Sequence, residues 1–428
     1  AMYYYHACDL FANVPIVTSS SQSIGDVKQS SRKEVFDFVV EELTEVLPTL
    51  STESCVNETS TYYGRVNKGV AYMCLAKMAI NAPVFTTNVE SATSLQAFVG
   101  DDLSGECKAS ESLGAVVSSK GKELKMTVDG VARNAWETVI YCVNQLEGLG
   151  YRLESDYTKN FAVANSTSVE NIWIRPNDDK KYLITDYNLI RSLHYNHAGG
   201  MNYQGWNGAC ATVRAMNVMG YGAASQDPRL AMNYYTGTDY THDTGALVND
   251  GATSKNLEYL PLAAVIDFGD GSDPHDVKCA GARFKKYEFD KTSTILGNNN
   301  NDLVIWRYGD ALLLKAEAEY RLGDTNAALA DVNQVRMRAG ADLRTTLSLN
   351  DLLNERMIEL AWEGQRRQDQ VRFCTFTQPT VDRFVGVHHN AAAGDYNDDR
   401  QGWTNVYPIP YSVINLNANL SQNPGYVN

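Results

Sequence analysis

The sequence predicts a mainly α-helical fold, in which tetratricopeptide-like helix pairs form a scaffold and a loop-rich middle region with short strands rides on it. Three observations lead there. Residues 307–322 and 325–339 carry matching apolar stripes and are joined by only Gly323-Asp324. Period-3.6 stripes of the same kind recur in the first third of the chain. Between residues 151 and 302 that periodicity gives way to Gly, Asn, Asp and Tyr, the residues of turns and half-wet surfaces.

Taken in order, residues 1–11 open in what reads as mid-helix, without a cap. Residues 31–47 follow, with Val35, Phe38, Val39, Leu43 and Val46 on one stripe, and with Ser31 and Glu34 spaced as a capping box. Residues 65–81 carry two adjacent ridges, Ala71/Leu75/Met78 and Tyr72/Ala76/Ala79. Residues 133–146 repeat the pattern with Trp136, Val139, Ile140 and Val143. In the C-terminal pair Leu313, Ala316 and Tyr320 face Ala328, Val332 and Val335, and Gly323 and Gly340 stand where a helix ends on a positive φ. A further helix is expected over residues 350–363, closed by Gly364. A helix–turn–helix of about 34 residues with small residues on the facing surfaces is the tetratricopeptide signature, and one such pair cannot bury its apolar face alone. Residues 1–11 with 31–47 supply a second pair and 65–81 with 133–146 a third, while the helix closed by Gly364 begins a fourth. The expected organisation is a helical part over 1–150 with an insertion at 83–129, a loop-rich ligand-binding region over 151–302, and a helical part with a closing segment over 303–428, all in one compact unit.

A hydrophobic fraction of 44% and a charged fraction of 21% describe a globular chain and exclude a disordered one. The formal net charge of −14, with no basic stripe, repels phosphate backbones and excludes nucleic acid as a partner. Tyr outnumbers Phe 25 to 12, and Tyr is the ring favoured where one edge is wet, so the excess leans toward a binding surface. The most apolar stretch, residues 69–85, is interrupted by Lys77 and Asn81, so no membrane-spanning helix is expected. The start Ala1-Met2-Tyr3-Tyr4-Tyr5 has no basic region followed by an apolar run, and an export or lipidation signal is expected to lie in a segment before it. The eight cysteines are scattered without a C-x-x-C motif, and Cys74 and Cys142 fall on apolar helix faces as small core residues.

Several motifs together resemble the SusD-like (RagB/SusD) family. They are Arg307-Tyr308-Gly309-Asp310-Ala311-Leu312-Leu313-Leu314-Lys315-Ala316-Glu317-Ala318; Asn333-x-Val335-Arg336-x-Arg338-Ala339-Gly340; and Glu355-Arg356-x-x-Glu359-Leu360-Ala361-x-Glu363-Gly364-Gln365-Arg366-Arg367-x-Asp369. The close, Pro408-Ile409-Pro410 through Gln422-Asn423-Pro424-Gly425-Tyr426, and the upstream Cys8-Asp9-Leu10-Phe11-x-Asn13-Val14-Pro15 and Gly64-Arg65-Val66-x-Lys68-Gly69 match in the same order. The resemblance implies a tetratricopeptide-based fold and a surface-exposed lipoprotein of the cell outer membrane, its lipid anchor N-terminal to this sequence. Members cap a SusC-like TonB-dependent transporter and capture glycans for import; some handle peptides, and they are not enzymes. The function expected is therefore non-enzymatic capture of an oligosaccharide and its delivery to such a transporter. The alternatives are a peptide-binding member of the family and a glycoside hydrolase.

A glycan site needs aromatic rings for the apolar faces of the sugars and amide or charged groups at the rim. The densest such constellation is Tyr182, Tyr187, Tyr195, Asn202, Tyr203, Trp206 and Asn207, set among Gly199, Gly200, Gly205 and Gly208. Of these, Trp206, Tyr203, Asn202, Tyr195, Tyr182 and Asn207 are the ligand-binding candidates, although for any single ring packing is the commoner role. Trp173 lies in the alternating run Asn171-Ile172-Trp173-Ile174 and reads as core; Trp403 and Tyr407 form a second, weaker candidate surface. Glu355, Glu359 and Glu363 share a helical stripe, the one feature a hydrolase could use. Acids four apart repel, and Arg336, Arg338, Arg366, Arg367 and Arg372 stand ready to neutralise them, so a structural ion-pair network is expected and no catalytic residue is assigned. His194-x-x-His197 lacks a third ligand and predicts no zinc. Asp395-x-Asn397-x-Asp399 has Arg400 where a calcium loop needs Gly, and Asp267, Asp270, Asp273 and Asp276 solvate a loop; calcium is predicted at neither, and no cofactor is expected.

Overall fold

The computed structural model describes residues 1–87, 108–181, 191–201, 203–238, 245–251, 253–263, 273–293, 299–377 and 402–426. The first helical pair is α1 (Met2–Phe11) against α2 (Arg32–Val46), and the expected capping box forms, Ser31 N–H donating to Glu34 Oε2 at 2.7 Å. Next comes α3 (Lys68–Ile80), capped by Asn67, whose side-chain oxygen accepts from the Val70 N–H at 2.9 Å. Every residue of α3 from Gly69 to Ile80 is buried, which makes it a central helix, apolar all round. A single turn, α4 (Ala82–Phe85), follows it.

The described part of the 83–129 insertion is ordered. It contains α5 (Glu111–Glu123) and β1 (Lys125–Val128), which pairs antiparallel with β2 (Val131–Asn134) across Asp129-Gly130. Both turn residues have positive φ, as an Asp-Gly hairpin requires. The Gly121 side of α5 lies so close to Trp136 that a β-carbon would come within 2.1 Å of the indole. Helix α6 (Ala135–Gly148), boxed by Asn134 and Glu137, packs along α3 to complete the expected pair.

At the far end of the chain, β8 (Leu303–Arg307) runs directly into α11 (Tyr308–Leu322), which turns on Gly323 (φ 104°) into α12 (Thr325–Arg338). Helix α11 also packs on α3 and α6, so the first and last thirds share one core. Between α6 and β8 lies β3 (Asn171–Arg175), which pairs antiparallel with β8 and matches Asn171 to Arg307. Residues 176–302 therefore leave and return at one place on the scaffold. The described residues of that excursion hold only short elements: α7 (Tyr195–Gly200), α8 (Val213–Val218), α9 (Arg229–Asn233), β4 (Tyr234–Tyr235), β5 (Gly237–Thr238), β6 (Glu258–Tyr259), α10 (Pro274–Cys279) and β7 (Arg283–Phe284). Trp173 of β3 is half-buried against Trp306, ring centroids 5.0 Å apart, in keeping with a core role.

The chain then forms α13 (Leu349–Glu359), α14 (Arg366–Arg372) and a last turn, α15 (Tyr411–Ile414). The helix expected to reach residue 363 stops at Glu359. Its terminal carbonyls find side-chain donors instead of a further turn: Glu359 O accepts from Tyr157 Oη at 3.0 Å, Lys286 Nζ at 3.0 Å and Arg307 Nη2 at 2.8 Å. Trp362 follows at φ 66°, a left-handed conformation that costs a bulky residue about 1–3 kcal/mol.

The glutamate stripe is the centre of a buried ion network. Glu359 and Glu355 are both 0% exposed. Glu359 accepts from Arg229 at 2.8 Å, from Arg307 at 2.7 Å and from Arg338; Glu355 accepts from Arg229 at 2.7 Å and from Arg336 at 2.6 Å. Glu363, though past the helix end, still meets Arg307 at 2.7 Å and also takes a bond from Lys286. Two of the principal partners, Arg229 and Arg307, come from the middle region and from β8. Arg366, Arg367 and Arg372, expected to serve the stripe, bind Leu353 O, Asp9 and Glu317 instead. Burial raises the Glu359 carboxyl, but Arg338, Arg307 and Arg229 outweigh it and hold the group well below the ordinary carboxylate range. The network thus bolts the loop-rich middle to the helical scaffold. Among the described residues no helix is long and apolar enough to cross a membrane.

Candidate functional site

The aromatic loop spans residues 191–201 and 203–211 of the middle region, with Leu193, Ala198, Met201 and Tyr203 packed inward. His194 caps α7: its Nδ1 accepts from the Asn196 N–H at 3.1 Å, which places the ring proton on Nε2. The ring is buried, and desolvation, then Lys278 and Arg283, push its pKa down to about 4, so it is neutral at physiological pH. His197 Nδ1 lies 3.1 Å from Tyr259 Oη, and the same hydroxyl accepts from the His194 N–H at 3.0 Å. The His194 ring is thus engaged as a helix cap and the His197 ring by Tyr259, and no cluster of metal ligands occurs among the described residues.

Trp206 is 59% exposed, and the residues on either side of it explain why the ring can be presented there. A β-carbon at Gly205 would stand 2.6 Å from Leu193 O, so only glycine lets the loop approach that closely. Asn207 takes φ 52°, the left-handed region that Asn tolerates, donating its N–H to Leu193 O and its Nδ2 to Lys278 O, each at 3.0 Å. With the backbone pinned at both neighbours, the indole is held at the surface without being packed.

Tyr195, 40% exposed, is fixed at its hydroxyl, which accepts from Lys278 Nζ at 2.7 Å and donates to Asp250 O at 3.3 Å. The Lys278 ammonium also lies 5.3 Å from the ring centroid, and Gly251 (φ 68°) lets the loop that carries Asp250 close against the ring. Lys278 is therefore common to the two rings: its carbonyl holds Asn207 and its ammonium holds Tyr195. Asn196 completes the rim by donating to Asn249 O at 2.8 Å. The arrangement offers two partly exposed rings, an ammonium and amides, which is what a hydroxyl-rich, flat-faced ligand requires.

The other predicted residues divide. Tyr203 is 5% exposed and packs edge-on against Phe289, centroids 5.0 Å apart; it holds the loop from beneath rather than presenting a ring. The reason is its backbone, since the Tyr203 N–H donates to Ala198 O and turns the chain inward behind α7. Tyr182, Tyr187 and Asn202 lie outside the described residues, as do Asp267, Asp270 and the Asp395, Asn397 and Asp399 run. Asp273 caps α10 and pairs with Lys255 at 3.0 Å, a turn-forming role. Trp403 and Tyr407 are partly exposed, but Trp403 lies under the closing segment, where a β-carbon on Gly425 would come within 2.1 Å of its ring. Lys278 and Asn196 were not marked by sequence reasoning, and no spacing could have found Lys278, some seventy residues from the loop it organises.

Comparison with known proteins gives a consistent answer. The SusD family matches residues 169–426. The starch-binding protein SusD of Bacteroides thetaiotaomicron is 24% identical over 460 aligned positions, covering all of this chain and 71% of that protein. Among solved structures, a SusD-like protein from Bacteroides fragilis superposes with a TM-score of 0.64 at 18% identity, covering 99% of this chain and 78% of the other. Surface glycan-binding protein A from Bacteroides thetaiotaomicron, in complex with laminarihexaose, gives a TM-score of 0.62 at 19% identity, covering 99% and 76%. The helix pairs, the strand clamp and the motifs over 307–369 agree with these likenesses, and the chain belongs to the SusD family.

Proposed function

We propose that this protein is a non-enzymatic, cell-surface glycan-binding protein that captures an oligosaccharide on the Trp206/Tyr195 surface and passes it to a SusC-like TonB-dependent outer-membrane transporter. The observation that carries the site is Trp206 itself, an indole held at the surface between a glycine chosen for close approach and a left-handed asparagine. Relatives bearing the names starch-binding protein and surface glycan-binding protein support the ligand class. The carboxylate stripe a hydrolase would need is sealed under arginines, which argues for capture without cleavage. In this reading the outer membrane is reached through an N-terminal lipid anchor, and the transporter receives the sugar from the loop-rich side.

Affinity electrophoresis and calorimetry against starch, laminarin and other polysaccharides test the proposal. Binding to at least one glycan is expected, weakened about tenfold or more by Trp206→Ala, or about 1.4 kcal/mol. Wild-type affinity in that variant would move the site elsewhere, and release of reducing sugar by the wild type would overturn the non-enzymatic reading.

A further inference from the structure

A cavity of about 500 Å³ opens between α8 and the turn that follows α13, well within the roughly 300–1,000 Å³ of small-molecule sites. Tyr234, Met357, Trp362, Arg214 and Arg366 line it, and among the described residues none of its lining side chains is acidic. In a chain of net charge −14 that is a local inversion of sign. Arg356, which also borders the cavity, is already paired with Asp310 at 2.8 Å and Asp369 at 2.9 Å. Arg214 differs. Its bond to another side chain is a 3.3 Å contact from Nη2 to the amide oxygen of Asn354, and no carboxylate among the described residues lies within ion-pair reach.

Among the described residues no acceptor meets two buried donors that border this cavity, Trp362 Nε1 and Arg214 Nε. Buried donors are nearly always satisfied, so a pair of orphans in one cavity points to an acceptor supplied from outside. Trp362 is held there in the left-handed region at φ 66° by edge-on contact with Phe284, centroids 5.2 Å apart, and by Tyr234 at 5.9 Å. Strain of that kind gathers where side chains must be aimed at a ligand.

From these features we infer that the cavity is a second binding site, for a sugar bearing an oxyanion, a uronate or a sulfate. Arg214 and the Trp362 indole N–H bind the anionic group, and the half-buried Trp362 ring and Met357 accept the body of the sugar, with the buried Tyr234 ring backing Trp362. The sugar body rests on the glycan reading above; the oxyanion does not.

The test follows the indole N–H signals of ¹⁵N-tryptophan-labelled protein, with Trp362 assigned by Trp362→Phe, during titration with sodium glucuronate, glucose 6-sulfate, glucose and N-acetylglycine. A saturable shift of the Trp362 signal is expected with one or both charged sugars and not with glucose. Arg214→Met should weaken that response at least tenfold, and Trp206→Ala should leave it unchanged while neutral-glycan binding falls, which separates failure of one site from failure of the other. Glucuronate answers for the uronate source and glucose 6-sulfate for the sulfated one. Silence from both, an equal shift with glucose, undiminished binding by Arg214→Met or dependence on Trp206 would overturn the site. N-acetylglycine binding as tightly as glucuronate would overturn its assignment to sugars.

Discussion

Glu317 offers the sharpest test of how the scaffold is held together. It sits in the middle of α11 with its side chain sealed from solvent, accepting from Arg372 Nε and Nη2 and from Arg321 Nε, each at 2.8 Å. Burial raises its carboxyl, but Arg372 and then Arg321 outweigh that and hold it at about 2, against 4.5 for an ordinary glutamate. The displacement is worth roughly 3 kcal/mol of native-state stability. Because the folded value is the depressed one, this contribution is complete above pH 4.5 and is lost as pH falls toward 2. Glu317→Gln keeps the shape and removes the charge, leaving Arg321 without its carboxylate, since Arg372 alone has Asp369 as a second partner at 2.7 Å. Removing one member of a buried pair costs about 3–5 kcal/mol. Urea unfolding followed by tryptophan fluorescence should therefore show the variant less stable by that amount at pH 7. At pH 3 the gap should narrow by about 2 kcal/mol, because the unfolded wild type takes up a proton on Glu317 there while the folded protein stays mostly ionised. A gap below about 1 kcal/mol at pH 7, or an equal gap at both pH values, would refute the claim that these arginines fix the charge state of Glu317.

Other consequences are equally concrete. Tyr203→Ala removes a buried ring and should cost about 3–5 kcal/mol in the same unfolding assay, whereas Trp206→Ala at the exposed position should stay within about 0.5 kcal/mol; equal losses would reverse the roles assigned to the two rings. Gly121→Ala drives a β-carbon to 2.1 Å from the Trp136 ring and should destabilise by about 1–3 kcal/mol, visible as a lower denaturation midpoint with an unchanged denaturant slope. The His194 imidazole should titrate by NMR near pH 4 rather than 6.5, since burial comes first and Lys278 and Arg283 add to it; a midpoint above 6 would contradict its neutral capping role.

How much of this was legible beforehand differs by element. The capped helices were read to within about three residues because their signals are local: Ser31 with Glu34 at the start of α2, Gly323 at the end of α11. The end of α13 was misplaced by four residues, because donors from Tyr157, Lys286 and Arg307 satisfy its last carbonyl, and those lie far away in sequence. The ion network was anticipated as a network, yet its partners were partly wrong for the same reason. In the aromatic loop, composition marks the stretch that carries the exposed Trp206 but does not distinguish Tyr203 from Trp206. Both are rings beside glycine, and the difference between a prop and a platform lies in which way a hydrogen-bonded turn points each of them.

Periodicity, caps and small-residue seams act over a few residues, so the chain alone determined the helix pairs, their hairpin turns and the family motifs. What only the folded molecule decided are relations between segments distant in sequence: Arg229 and Arg307 meeting Glu359, Lys278 joining Tyr195 to Asn207, and Arg214 bonded to the Asn354 amide on α13. Side-chain reach is a few ångströms, and whether two such groups meet depends on how the whole excursion over residues 176–302 returns to the scaffold at β8.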